Sequence, residues 1–282
     1  MHPAPQPMGV SGIRGTVIAA TDPIPTPWGI LAVKADLAWG NTKGERSKVL
    51  VLDTGVDKNH PAIKDRYLKG QNFVADGLPT NDVTDTIGHG THVAGTILAS
   101  GDNNGLIGVA PRAGLLMGRV CAQHGCSSIS IVQGVNWGIN EGVQVMSLSL
   151  SGPFATVAER DAFARAEAAN IVVVAASGND SSASVGFPAA LTNVFAVGAT
   201  DITSHRAQFS NYGPELAMVA PGVDVLSSVP QGLGRGSSVI NRNLKVPSIE
   251  FQGSPIGSIR DTDVVYGGFG SPAELTGVSG KI

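Results

Sequence analysis

Three short strings in this sequence carry residues able to do chemistry together. Asp53 closes the apolar run of V-L-V-L-D-T-G-V-D. His89 is the first histidine of G-H-G-T-H-V-A-G-T at residues 88–96. Asn179 follows Gly178 in V-V-V-A-A-S-G-N-D. A neutral imidazole takes a proton near pH 7, and an adjacent carboxylate, here Asp53, can hold its tautomer. An amide N–H at a strand end can be aimed at a developing oxyanion. Each string alone has a plainer reading: Asp53 as a turn cap, S-G-N as a simple turn. A D-T-G also occurs in aspartic proteases, but that chemistry needs two carboxylates sharing a proton. No second D-T-G or D-S-G is present. His89 and His92 are three residues apart, yet no H-E-x-x-H pattern supports zinc.

The two cysteines, Cys121 and Cys126, sit in C-A-Q-H-G-C. Three readings stay open: a metal site adding His124, which lacks a fourth ligand; a local disulfide in an oxidising compartment; two free thiols.

These residues need elements to position them. Apolar runs recur at residues 49–52, 115–120, 143–150, 171–176, 194–199 and 216–220. They are short, rich in β-branched residues and not alternating, which predicts strands buried on both faces of a parallel sheet. Helical spacing covers 89–99, 128–140 and 155–170. Strands alternating with helices imply an α/β, doubly wound, mostly parallel sheet with helices on both faces. Ligand sites in such sheets lie beyond the carboxyl ends of strands, which is where Asp53 and Asn179 fall.

Residues 1–25 are rich in Pro and Gly without periodicity and read as an arm or leader remnant. The catalytic core is expected over 26–222. From 223 to 282 the texture turns Gly- and Ser-rich, with strand-like pieces at 238–240 and 264–266, as in a partial β-rich insert. The chain of 282 residues is ample for a large core. Charged residues are 15% and hydrophobic ones 42%, which excludes a disordered chain. Lys and Arg number 19 against 22 Asp and Glu, so no basic excess points to nucleic acid. No apolar run reaches the roughly 18 residues of a membrane span, and no signal peptide is visible.

In their order, D-T-G-V-D, G-H-G-T-H-V-A-G, S-L-S-G-P, A-A-S-G-N and F-S-N-Y-G-P-E-L-A-M-V-A-P-G resemble the subtilisin family of serine proteases over roughly residues 27–222. The H-G-T-H-V-A-G string is the most specific of them. The resemblance implies a subtilisin-like fold and peptide-bond hydrolysis by an Asp-His-Ser triad. It assigns Asp53 as the orienting carboxylate, His89 as the base and Asn179 as the oxyanion donor. It makes His92 structural. Ser149, Leu150 and Ser151 match the strand that pairs with an extended substrate. Ala176, Ser177 and Gly178 match the opposite wall of the pocket for the residue before the scissile bond.

The departures are specific. Ala62 stands after His60-Pro61, where relatives place an acidic calcium ligand. Asp102-Asn103-Asn104-Gly105 is an altered form of the loop giving the other ligands, so Asp102 and Asn104 are the candidate structural calcium residues. Ala217 replaces a common Asp, and Ser151 replaces a usual glycine. The nucleophile string G-T-S-M-A-S-P-H-V-A-G does not occur. The nearest serine, Ser238, is followed by Asn241-Arg242-Asn243 instead of a small apolar helix and is not expected to serve. The ending T-G-V-S-G-K-I resembles the start of a protease-associated insert, so the chain is expected to stop before the nucleophile. The expectation is a secreted or extracellular, monomeric serine endopeptidase acting on polypeptides, with no nucleic-acid or membrane partner, these 282 residues alone being inactive. The alternative is a non-catalytic, peptide-binding or regulatory relative.

Overall fold

Lys48–Asp53 (β2) shows how the sequence builds the sheet. Alternate side chains of a strand face opposite ways. Leu50 and Leu52 enter one apolar cluster, while Val49 and Val51 enter another on the opposite face. All four are at most 6% exposed. Burial of each such side chain is worth about 1.5–3 kcal/mol. Gly114–Arg119 (β4) divides in the same way, with Leu116 on one side and Leu115 and Met117 on the other.

A computed structural model of the protein describes residues 6–7, 25–102, 105–233, 237–241 and 244–248. Its main sheet is parallel throughout. The other strands are Tyr67–Asn72 (β3), Val145–Leu148 (β7), Val172–Ala176 (β9), Phe195–Thr200 (β10) and Leu216–Pro221 (β11), in the spatial order β11-β10-β9-β7-β2-β4-β3. His89–Leu98 (α3) packs on the β2–β4 face that carries Val49 and Val51. Ser128–Glu141 (α4) and Val157–Ala168 (α5) pack on the other. This is the doubly wound α/β arrangement expected. Two short helices, Trp28–Ala32 (α1) and Ala35–Ala38 (α2), precede the sheet. No described helix is long and apolar enough to cross a membrane.

The helix ends have local causes. Ser127 caps α4 by accepting the Ile129 N–H, and Gly142 ends it in the left-handed conformation. Thr156 and Glu159 form a reciprocal capping box on α5.

Two expectations change. Strands β9, β10 and β11 are not buried on both faces: Val173, Ala175 and Ala196 sit in the core, Val174, Ala176, Val197 and Ala199 line a cleft, and β11 has no fully buried residue, with Met218 and Val219 about half exposed. The N-terminal arm is also not featureless. Gln6–Pro7 (β1) pairs antiparallel with Leu150–Ser151 (β8), Gln6 opposite Ser151 and Pro7 opposite Leu150. The strand-like piece at 238–240 lies in Ser237–Asn241 (β12), which forms an antiparallel hairpin with Leu244–Ser248 (β13). The piece at 264–266 lies outside the described residues.

Candidate active site

Asp53 is the last residue of β2 and His89 the first of α3, 36 positions apart. Their side chains meet at 2.6 Å between His89 Nδ1 and Asp53 Oδ1, with Asp53 1% and His89 7% exposed. A carboxylate at Nδ1 makes that nitrogen the protonated one, so Nε2 of the neutral ring carries the lone pair. The same Oδ1 accepts the Thr54 N–H at 2.7 Å. Asp53 Oδ2 is buried with no hydrogen-bond partner among the described residues. The Asp53 carbonyl accepts the Val120 N–H, tying the end of β2 to that of β4.

What holds α3 in place is a residue that the sequence strings did not single out. Gly88 at the helix start provides no side-chain cap. Asp85, 3% exposed, does that work. Its Oδ1 accepts the N–H groups of Ile87 and Gly88 and the Thr54 hydroxyl, and its Oδ2 accepts the N–H and hydroxyl of Thr91. An acidic group here also complements the positive end of the helix. Thr54 Oγ1 in turn accepts the Gly90 N–H. A Cβ on Gly90 would overlap the Gly55 carbonyl, so only glycine lets α3 approach β2 this closely. The spacing D-x-x-G-H, an acceptor just ahead of a helix start, was the signal available for Asp85.

His92 lies one turn along α3 from His89. Burial, reinforced by the neighbouring His89, pulls its pKa down from 6.5 to about 4, and it hydrogen-bonds the Val225 carbonyl. It is therefore neutral at neutral pH.

Asn179 lies beyond β9, half-buried, on the rim of a cleft of about 560 Å³ that His89, Ser149, Ala176, Ser177 and Gly178 also line. The turn bearing it is braced by Asn211. That side chain's Oδ1 accepts the Asp180 and Ser182 N–H groups, and its backbone N–H donates to the Gly178 carbonyl. Ser177 is buried, its hydroxyl donating to the Asn211 carbonyl. Ser149 lines the cleft at the end of β7, whereas Leu150 is buried in the core cluster and Ser151 follows it in β8, outside the cleft lining. The structure therefore gathers Asp53, His89, Asn179, Ser149 and Ala176 to Gly178 around one cleft.

Asp102 is exposed and stands apart. Its N–H donates to the Ser100 hydroxyl and its carbonyl accepts the Gly105 N–H. Asn104 lies outside the described residues. Among the described residues no three His, Cys, Asp or Glu side chains come together to hold a metal, and Ala62 brings no ligand atom from its side chain.

Cys121 and Cys126 form a disulfide, which removes the His124 metal reading. They are directly opposed in a hairpin of Cys121–Ala122 (β5) and Gly125–Cys126 (β6). Strand β1 lies close to β6 as well as pairing with β8.

Residues 44–250 match the family model described as the subtilase family. The chain is 40% identical over 213 residues to the intracellular serine protease of Paenibacillus polymyxa, covering 73% of this chain and 65% of that protein. It is 38% identical to the major intracellular serine protease of Bacillus subtilis (strain 168), covering 72% of this chain and 67% of that one. It is 44% identical over 206 residues to subtilisin Savinase of Lederbergia lenta, covering 72% and 74%. The chain thus spans about two thirds of the length of the first of these relatives.

Proposed function

Because this chain belongs to the subtilase family, we propose that it works as a serine endopeptidase on polypeptide substrates, with Asp53, His89 and Asn179 as its catalytic groups. The observation that carries this reading is the buried 2.6 Å pair of His89 Nδ1 and Asp53 Oδ1 beside the cleft that Asn179 rims.

In this reading a serine hydroxyl attacks the scissile carbonyl and gives its proton to His89 Nε2. Asp53 holds the ring and stabilises the imidazolium that forms. The Asn179 side-chain amide donates to the carbonyl oxygen as it becomes an oxyanion. His89 then returns the proton to the leaving amine. The substrate main chain lies extended along Ser149–Ser151, with Ala176, Ser177 and Gly178 as the opposite wall. The pairing of β1 with β8 supports this, since it places an extended strand on that segment. Ser238 lies in the β12–β13 hairpin, with Pro247 opposite, and the reading assigns the attacking hydroxyl to none of the described residues. The disulfide supports an oxidising, extracellular location, although two of the relatives above are named intracellular. A bound calcium ion would have a structural role only.

The test is a fluorophosphonate probe with mapping of the labelled residue by mass spectrometry. Labelling that His89→Ala abolishes supports the reading. Peptide hydrolysis that persists in His89→Ala overturns it, and labelling at Ser238 overturns the exclusion of that residue. Peptide binding without labelling or hydrolysis favours the non-catalytic alternative.

A further inference from the structure

Ser151 stands where the family resemblance expects glycine, and the geometry shows what its side chain fills. Three segments converge on it: β8, the turn at Ala176–Asn179, and the loop at Gly186 and Phe187. A Cβ built on Gly178 would lie 3.2 Å from Ser151 Oγ. One built on Gly186 would overlap that oxygen and lie 3.4 Å from Ser151 Cβ. The hydroxymethyl group is therefore lodged between two glycines on the far side of the gap from β8.

Those segments are tied together. Gly152 and Phe187 exchange backbone hydrogen bonds of 2.9 and 2.8 Å, and Gly186 N–H donates to the Ser177 carbonyl at 2.8 Å. Gly178 has φ +115°, and a Cβ there would also overlap the Asn211 amide, so this wall is packed against its support. A gap with walls held in this way does not widen easily to take a larger group. Ser151 Oγ stands in the space between Gly178 and Gly186, with the Gly152 carbonyl beside Gly186.

We propose that Ser151 restricts the pocket for the residue before the scissile bond to small side chains: glycine, alanine and serine. This rests on the peptide-groove reading above and names its substrate class. A glycine at 151 would leave that volume to the substrate, so aromatic and long aliphatic residues would enter. One extra methylene's worth of space in an apolar pocket changes selectivity by about 10–200-fold.

The test uses the full chain and fluorescein-labelled tetrapeptides ending in a free carboxylate, identical except for a last residue of Ala or Phe. Anisotropy then reads the pocket without requiring hydrolysis. The parent should bind the Ala peptide about 10-fold or more tightly than the Phe peptide. Ser151→Gly should shift that ratio by at least about 10-fold toward Phe, and Ser151→Ala, which keeps Cβ, should fall between. If Ser151→Gly fails to fold, Ser151→Ala against the parent carries the comparison. Equal binding of both peptides by parent and variants overturns the proposal and leaves the groove reading standing. Binding of neither peptide overturns both.

Discussion

Asp85 gives the sharpest stability test of the site. Replacing it by alanine removes the acceptor of five hydrogen bonds, from Thr54 Oγ1 at 2.9 Å, Ile87 N at 3.1 Å, Gly88 N at 2.8 Å, Thr91 N at 2.9 Å and Thr91 Oγ1 at 2.7 Å. The two hydroxyls can rotate to other partners, and Ile87, 43% exposed, can turn its N–H to water. The Gly88 and Thr91 N–H groups are buried and stay stranded. Each stranded buried donor costs about 1–3 kcal/mol. Asp85→Ala should therefore destabilise by about 2–6 kcal/mol, roughly 30-fold to 2 × 10⁴-fold in the folding constant. Asp85→Asn keeps the Oδ1 acceptor but turns an NH₂ toward Thr91 N, so it strands one donor, for about 1–3 kcal/mol. Urea unfolding with the slope held common gives both values. A loss below about 1 kcal/mol for the alanine variant, or equal losses for both, would refute the claim that this carboxylate anchors α3.

Three other outcomes are expected. His92 has a folded pKa of about 4, below its unfolded 6.5, so between those values only the unfolded chain holds the proton; stability is full above pH 6.5 and falls by about 3 kcal/mol on acidification to pH 4. His60, also lowered by burial, adds to the same slope, so His92→Gln should flatten the pH dependence of unfolding across that window without abolishing it; an unchanged slope would contradict the buried neutral state. In an enzyme form that carries a nucleophilic serine, Asn179→Ala should lower kcat by about 10²–10³-fold with KM little changed, the size known for a subtilisin donor of this kind, and near-native turnover would remove Asn179 from the site. Removing residues 1–24 should tighten peptide binding measured by anisotropy, because β1 occupies the β8 edge; weaker binding would show that the segment supports the groove.

The run at 49–52, within β2, was legible because burial on both faces leaves an uninterrupted apolar run. The run at 171–176 contains β9, which stays apolar although only one of its faces is in the core and the other lines the cleft. Helix α4 was readable from the helical spacing of Val132, Val135 and Ile139, which pack on the core cluster, although Ile129 of the same series is 71% exposed and Ile131 is the buried residue at that end. Strand β3 was not, because Tyr67–Asn72 reads Y-L-K-G-Q-N and forms a half-solvated sheet edge without an apolar run. Strand β1 owes its conformation to pairing with a segment more than a hundred residues away, which local propensity does not encode. Asp53 and His89 were legible through strings whose spacing reflects a helix start after a strand end. Asp85 and Asn211 were not given roles, because what they do is hold backbone that other residues use.

The antiparallel entry of β1 beside β8, with Gln6 opposite Ser151 and Pro7 opposite Leu150, has a consequence for which proteins are vulnerable. A chain held there must present free main-chain donors and acceptors along one edge. In a folded protein those groups are already engaged in helices and sheets. Access then depends less on the victim's sequence than on its local opening free energy, since frayed ends and mobile loops expose such stretches at little cost and core strands only on global unfolding. On the proposed reading, such a groove would discriminate between conformations before it discriminates between side chains, and stably folded neighbours would be spared without any dedicated recognition.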